Sequence, residues 1–212
     1  RHIATSAPQD PEALLRAVGI SIGLQKCLAG APNALPIPNL DGFGLWGSPT
    51  TTRERQAALM DMYSRTQDPI HAATLTTIAT IDLLNTIDFA GYRPAGGATY
   101  PPGFLGSALS STAALVKAEV GVEAVAIDVL GWDTHANQGP LAGTMANLMS
   151  SLSSALGAFY TDMFTGQTPR ITVVVMSEFG RRLAENSGGG TDHGRGTVMF
   201  VMGQCIAGGR VL

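Results

Sequence analysis

Val125-Ala126-Ile127-Asp128-Val129-Leu130-Gly131-Trp132-Asp133-Thr134-His135-Ala136-Asn137-Gln138 runs from a short apolar segment into acidic, aromatic and imidazole side chains. The β-branched content of Val125 to Leu130 predicts a strand buried on both faces, and Gly131 predicts a sharp turn at its end. Asp133 and His135 follow that turn, and neither is needed to bury surface. In open α/β sheets ligands bind beyond the carboxyl ends of the strands, so both side chains are candidates for a site. A second apolar run, Ile171 to Met176, ends in Ser177-Glu178-Phe179-Gly180-Arg181-Arg182. Two strands are therefore expected to deliver acids to one edge of a sheet.

Working outward, a helix is expected from Pro140 or Leu141 to about Phe164, with Leu141, Met145, Leu148, Leu152, Leu156, Phe159 and Met163 at helical spacing and no charge before Asp162. Strand, helix and strand in that order predict a right-handed βαβ crossover. Val198 to Met202 reads as a further strand after a glycine-rich loop from Asn186 to Gly196. Upstream, Ala17 to Ile22 is an expected strand, and Leu35-Pro36-Ile37 and Gly44-Leu45-Trp46 are expected edge strands amid prolines and glycines. Three helices are expected between them and the central strand: Thr51 or Thr52 to about Thr66, Ile70 to Phe89, and Phe104 to Val120. Threonines and Asp82, Asn85 and Asp88 mark the middle one as a core helix rather than a membrane span.

The chain has 212 residues, 45% of them hydrophobic, enough for a sizeable core, and it reads as a single α/β domain over 1–212. Charged residues make up 14% and the net charge is -3, which leaves no positive field to hold a nucleic acid or an anionic membrane surface. No run approaches the ~18 apolar residues of a membrane span. Cys27 and Cys205 are expected to be buried thiols rather than a zinc knuckle. Beginning at Arg1 and ending at Leu212, the chain reads as the middle portion of a longer domain.

The polar groups that follow the strands form a distinctive set: Asp128, Asp133, His135, Glu178, Asp192 and His193. Carboxylates and imidazoles crowded into one crevice repel one another, and a divalent metal resolves that repulsion, with zinc, manganese or iron suited to the mixed donor set. Each residue also has a plain reading. Asp133 can make an Asx-turn, Asp192 can cap a turn, Glu178 can pair with Arg181 or Arg182 on the surface, and His193 can be a core histidine. Singly the plain readings win; at successive strand ends the joint one does. Gly188-Gly189-Gly190 lacks the Gly-Lys-Ser/Thr ending of a phosphate loop, and Ser177 lacks the Gly-x-Ser-x-Gly elbow of a triad nucleophile. Arg181 or Arg182 could clamp an anionic ester in a bidentate fork.

At Gly131-Trp132-Asp133-Thr134-His135-Ala136-Asn137-Gln138, and again at Ser177-Glu178-Phe179-Gly180-Arg181 through Glu185-Asn186 to Gly190-Thr191-Asp192-His193-Gly194, the sequence resembles bacterial proteins of the domain of unknown function 1501 family. That family looks like a branch of the alkaline phosphatase and sulfatase superfamily. The resemblance implies an alkaline phosphatase-like fold, a largely parallel central sheet flanked by helices, here without its N-terminal and C-terminal elements. It implies hydrolysis of phosphate or sulfate esters over two divalent ions, zinc or manganese in preference to calcium or magnesium, acting on a small anionic ester. Asp128, Asp133, His135, Glu178, Asp192 and His193 resemble the superfamily's ligands in order, although Phe179 stands where alkaline phosphatases carry a histidine. The nucleophile and the first metal-binding Asp lie on elements upstream of this chain, so no nucleophile is assigned. The resemblance also implies a periplasmic or extracellular parent. A non-catalytic, metal-stabilised binding or surface-assembly protein is the competing expectation.

Overall fold

The structure, a computed structural model, describes residues 2–64, 69–165 and 170–211. The chain divides into two compact units, Arg1–Arg93 with Ala114–Asp128, and Pro94–Ala113 with Val129–Leu212. Its secondary structure is mixed α/β, with a three-stranded parallel sheet flanked by helices.

In the first unit, strand β1 (Ala17–Ile20) is buried at every position and lies between β2 (Ala34–Pro36) and β3 (Ala124–Ile127), parallel to both. Val18 sits opposite Leu35 on one side and Val125 on the other. Leu15, Val18, Ile37 and Leu40 are buried in the same unit. The strand expected to be buried on both faces, at 125–130, is therefore not the buried one. It ends at Ile127, its residues are half-buried, and Asp128 is exposed. The cause is position in the sheet: β1 has hydrogen-bonded neighbours on both edges, whereas β3 borders only β1 among the described residues. Pro36 is tolerated because β2 is an edge strand. No strand forms at Gly44-Leu45-Trp46; Gly42 and Gly47, at φ +90° and +128°, turn the chain there, and Trp46 is exposed.

A buried ion pair closes the start of this sheet. Arg16 precedes β1 and Glu123 precedes β3; Nε donates to Oε1 at 2.8 Å and Nη2 to Oε2 at 2.9 Å. Arg16 Nη1 also donates to the carbonyl of Ile3 in α1 (His2–Thr5) and to that of Ser6. The Arg16 hydrogen bond holds the Glu123 carboxyl below the usual range, and the Gln9 N–H adds to the effect against the opposing cost of burial.

Helix α2 (Thr52–Ser64) packs on α3 (Pro69–Leu84), and Gln56 Nε2 donates to Asp82 Oδ1 at 2.9 Å between them. The end expected for α2 at Thr66 lies outside the described residues. Helix α3 buries Ile78, Thr80, Ile81 and Leu84. Its threonines are accommodated by bonding back one turn, as Thr80 Oγ1 does to the Thr76 carbonyl at 2.7 Å. The helix stops at Leu84, short of the expected Phe89, because the N–H groups of Thr86 and Ile87 turn back to Leu83 and Leu84 three residues earlier. Asp88 then takes the Gly91 N–H.

Helix α4 (Phe104–Lys117) gives its residues up to Ala113 to the second unit and the rest to the first. It ends before Val120 because Glu119 adopts φ +52°. Helix α5 (Thr144–Phe164) begins later than Pro140 or Leu141, after Gly143 at φ +133°. Carbonyls rather than a side chain cap it: the Met145 N–H donates to Gln138 O and the Asn147 N–H to Gly143 O. Leu152, Ala155, Ala158, Phe159 and Met163 form its buried face. Asp162, the charge on this helix, is also buried, and it accepts the Ala95 N–H and the Tyr100 hydroxyl, each at 2.7 Å.

Strand β4 (Thr172–Met176) does not complete the expected βαβ crossover. It pairs antiparallel with β7 (Met199–Gly203), Val174 opposite Val201, in a sheet separate from β3. The segment between them doubles back through a second antiparallel pair, β5 (Gly180–Arg181) with β6 (His193–Gly194), and a chain that reverses in this way returns antiparallel. Cys27 and Cys205 are free and exposed rather than buried. Leu28 takes the inward place in the single turn that holds Cys27, and Cys205 lies in the turn after β7. Among the described residues no helix is long and apolar enough to cross a membrane.

Glu123 contributes stability above its unfolded pKa of about 4.3 and loses it as pH falls through the lowered folded value. Replacing it leaves Arg16 buried without its charge partner. Glu123→Gln is therefore expected to lower the thermal midpoint by several degrees at pH 7, and the deficit should shrink as the pH is lowered below 4. A deficit constant from pH 7 to pH 3 in thermal unfolding would contradict the assignment.

Candidate metal centre

Three loop segments of the second unit build the site. The first is 131–138, which Gly131 opens at φ +97°. The second is β5 with Phe179 before it, and the third is 186–194, which ends in β6. They are stitched together mostly by polar contacts. Ala136 bridges to Gly189, and the N–H groups of Asn137 and Gln138 donate to Gly188 O and Gly189 O at 2.9 and 2.8 Å. Arg181 lies opposite His193 in the β5–β6 pair, and the Arg182 N–H donates to Asp192 O.

Within this frame both imidazoles aim at one carboxylate oxygen. Nε2 of His193 lies 2.7 Å from Asp133 Oδ1, and Nε2 of His135 lies 3.0 Å from the same atom. The two rings sit 4.9 Å apart between centroids, and Phe179 stacks on His193 at 4.1 Å. The ligand-type atoms of Asp133, His135 and His193 all lie within 4.8 Å of one another, so this exposed group could hold a metal ion. Its donor set, one carboxylate and two imidazoles, is that of a three-ligand divalent site with open positions for water or substrate.

Asp192 lies at the other nitrogen of His135. Its Oδ1 is 3.2 Å from His135 Nδ1, and it also accepts from Asn186 Nδ2 at 2.9 Å. A carboxylate on Nδ1 fixes the tautomer that leaves Nε2 free as a ligand, the outer support that metal-binding histidines ordinarily have. The carboxyl of Asp192 is held below the usual range by the Asn186 amide first and by His135 second. Asp133 is likewise held low, chiefly by its hydrogen bond with His193, with the nearby charges of His135, His193 and Arg181 adding to it.

Asp133, His135 and His193 thus come together, with Asp192 beside His135. Glu178 is exposed and does not join the converging group; it is Phe179 that stacks on His193 and Arg181 that donates to the loop carbonyls. Asp128 lies just past β3, in the first unit, and is exposed there. Ser177 spends its hydroxyl on a local turn, donating to the Phe179 carbonyl at 2.6 Å. The sequence reading missed Asn186. Its amide nitrogen donates to His135 O and Asp192, while its Oδ1 accepts the N–H groups of Gly188 and Gly190. Asn186-Ser187-Gly188 was the available signal, since asparagine before small residues commonly makes such a turn.

Fold and site together define a mixed α/β protein that carries an Asp–His–His group on polar loops. Residues 50–212 match the family model described as "Protein of unknown function (DUF1501)", and the chain belongs to that family. No curated protein and no solved structure matches it at a significant level.

Gly190 is buried, and a Cβ there would run into the carbonyl group of His135. Gly190→Ala is expected to cost about 1–3 kcal/mol of loop docking, the usual penalty of overpacking. Limited proteolysis should then cut within residues 183–192 at least several-fold faster than in the wild type; an unchanged rate would contradict the close approach.

Proposed function

We propose that this protein is a divalent-metal-dependent hydrolase of phosphate or sulfate esters, with Asp133, His135 and His193 as metal ligands. The observation that carries the reading is the convergence of both Nε2 atoms on Asp133 Oδ1, with Asp192 behind His135. Half-exposed as they are, these ligands leave room for a substrate oxygen. A bound divalent ion would supply the positive charge that polarises a phosphoryl or sulfuryl oxygen. Asp192 would keep the His135 ring oriented, and Phe179 would hold the plane of His193. Arg182, exposed and close enough for its charge to act on Asp192, is the arginine suited to an anionic ester. The chemistry of the donor set favours zinc or manganese. One ion is the number these three ligands support; the second ion that the superfamily resemblance implies would need ligands beyond this group. An exported parent remains part of the proposal on resemblance alone.

A second reading, a metal-stabilised binding or assembly module without turnover, is favoured by one observation. The Ser177 hydroxyl is engaged locally, donating to the Phe179 carbonyl.

The wild-type chain is expected to bind about one equivalent of zinc or manganese in competition with a chromophoric chelator. Asp133→Ala and His193→Ala should each abolish that binding, and Asp192→Asn should weaken it about 10–100-fold, as supporting residues typically do. Hydrolysis of nitrophenyl phosphate or nitrophenyl sulfate by the metal-loaded protein supports the hydrolase. Metal that raises the melting temperature with no turnover of either ester supports the second reading, and no metal binding at all sinks both.

A further inference from the structure

From β5, outside both ligand-bearing loops, the Arg181 side chain touches the backbone of each. Nη2 donates to the Trp132 carbonyl at 2.6 Å, and Nη1 donates to the Thr134 carbonyl at 3.2 Å. The same Nη1 donates to the carbonyl of Thr191 and to its hydroxyl, at 3.0 Å for the latter. Trp132 and Thr134 flank Asp133 on either side, Thr134 also precedes His135, and Thr191 precedes Asp192. The guanidinium is mostly buried, at 16% exposure, and its carbon sits 5.2 Å from the centre of the Phe179 ring, which in turn stacks on His193. Nη2 is 3.9 Å from Asp133 Oδ1.

We infer that Arg181 is a positioning residue, a latch that holds the 131–138 loop against the 186–194 loop so that Asp133, His135 and His193 converge, rather than a group that binds substrate. The inference rests on the proposed metal site for its functional meaning, but the latch itself has a metal-independent consequence. A carbonyl on each side of Asp133 and one before Asp192 converge on a planar fork, which matches several acceptors at once; a lysine ammonium is a single point donor on a flexible stem and lacks that fork. Arg181 thereby supplies donors to carbonyls in short loops that lack regular ladders, the Trp132 carbonyl accepting the Thr134 N–H as well.

The test compares wild type, Arg181→Lys and Arg181→Ala, the last with and without millimolar guanidinium ion. Two readouts are taken on each: zinc affinity by chelator competition, and amide hydrogen exchange in zinc-free protein at Asn137 and Gln138, with Val173 and Val175 in β4 as internal controls. Arg181→Lys is expected to bind zinc about 10–100-fold more weakly. Exchange at Asn137 and Gln138 should be at least tenfold faster while the β4 amides are unchanged, and guanidinium should restore part of both properties to Arg181→Ala. Arg181→Lys with wild-type zinc affinity and wild-type exchange overturns the latch and leaves the metal site standing. Wild type that binds no zinc, with exchange still accelerated in Arg181→Lys, removes the metal reading and supports the latch. A variant with unaltered zinc affinity and exchange that has lost only inhibition by inorganic phosphate would assign Arg181 to substrate and overturn the inference. Should Arg181→Ala fail to fold, Arg181→Lys carries both readouts.

Discussion

A guanidinium set among backbone carbonyls is the constraint on which the candidate site depends. Loops 131–138 and 186–194 contain little apolar surface to bury, so the hydrophobic effect that organises β1 cannot hold them together. What remains is polar matching: Arg181 on the carbonyls of Trp132, Thr134 and Thr191, Asn186 on His135 and Asp192, and a short bridge at Ala136 and Gly189. Such contacts are directional, and direction is what a ligand set needs. Gly190 belongs to the same constraint, because the close approach of the loops leaves no space for a side chain there.

The same chemistry serves a different end in the first unit. Arg16 and Glu123 are nearly inaccessible to solvent, and their forked pairing joins the starts of β1 and β3 to the N-terminal segment. There each charge is satisfied by the other, and nothing is left over for a ligand. At the candidate centre the acids and imidazoles are about half exposed, and two ring nitrogens share a single carboxylate oxygen. With Asp192 on Nδ1, the His135 Nε2 lone pair faces a carboxylate oxygen with no proton between them, an arrangement that could hold a cation.

Much of the architecture was legible because it is written in local periodicity. Leu152, Phe159 and Met163 on the buried face of α5, the strand at Thr172–Met176 and most of the strand expected at Ala17 to Ile22 follow from spacing of apolar residues, whereas Leu141 and Ile22 are exposed. Pairing was not legible. Val125 to Leu130 and Ala17 to Ile20 are both short apolar runs, and nothing local distinguishes a central strand from its neighbour. Likewise Ile171 to Met176 has the same composition whether it joins a parallel sheet or pairs antiparallel with β7. That Phe179 and Arg181, rather than Glu178, meet the site could not be read either, since the turn there depends on where Ser177 sends its hydroxyl.

By itself the sequence determined which residue types are available for chemistry and where along the chain they cluster: an Asp and a His after one apolar run, and an Asp and a His after a glycine-rich stretch. Tertiary structure decided which of them meet. Asp133, His135 and His193 face one another because two loops far apart in sequence are held edge to edge, and Asp192 is turned to the outer nitrogen of His135 by Asn186. The physical reason is range. Helix and strand propensities act over a few residues and can be read locally, whereas the meeting of ligands is set by long-range hydrogen bonds to carbonyls, and every residue supplies a carbonyl whatever its side chain.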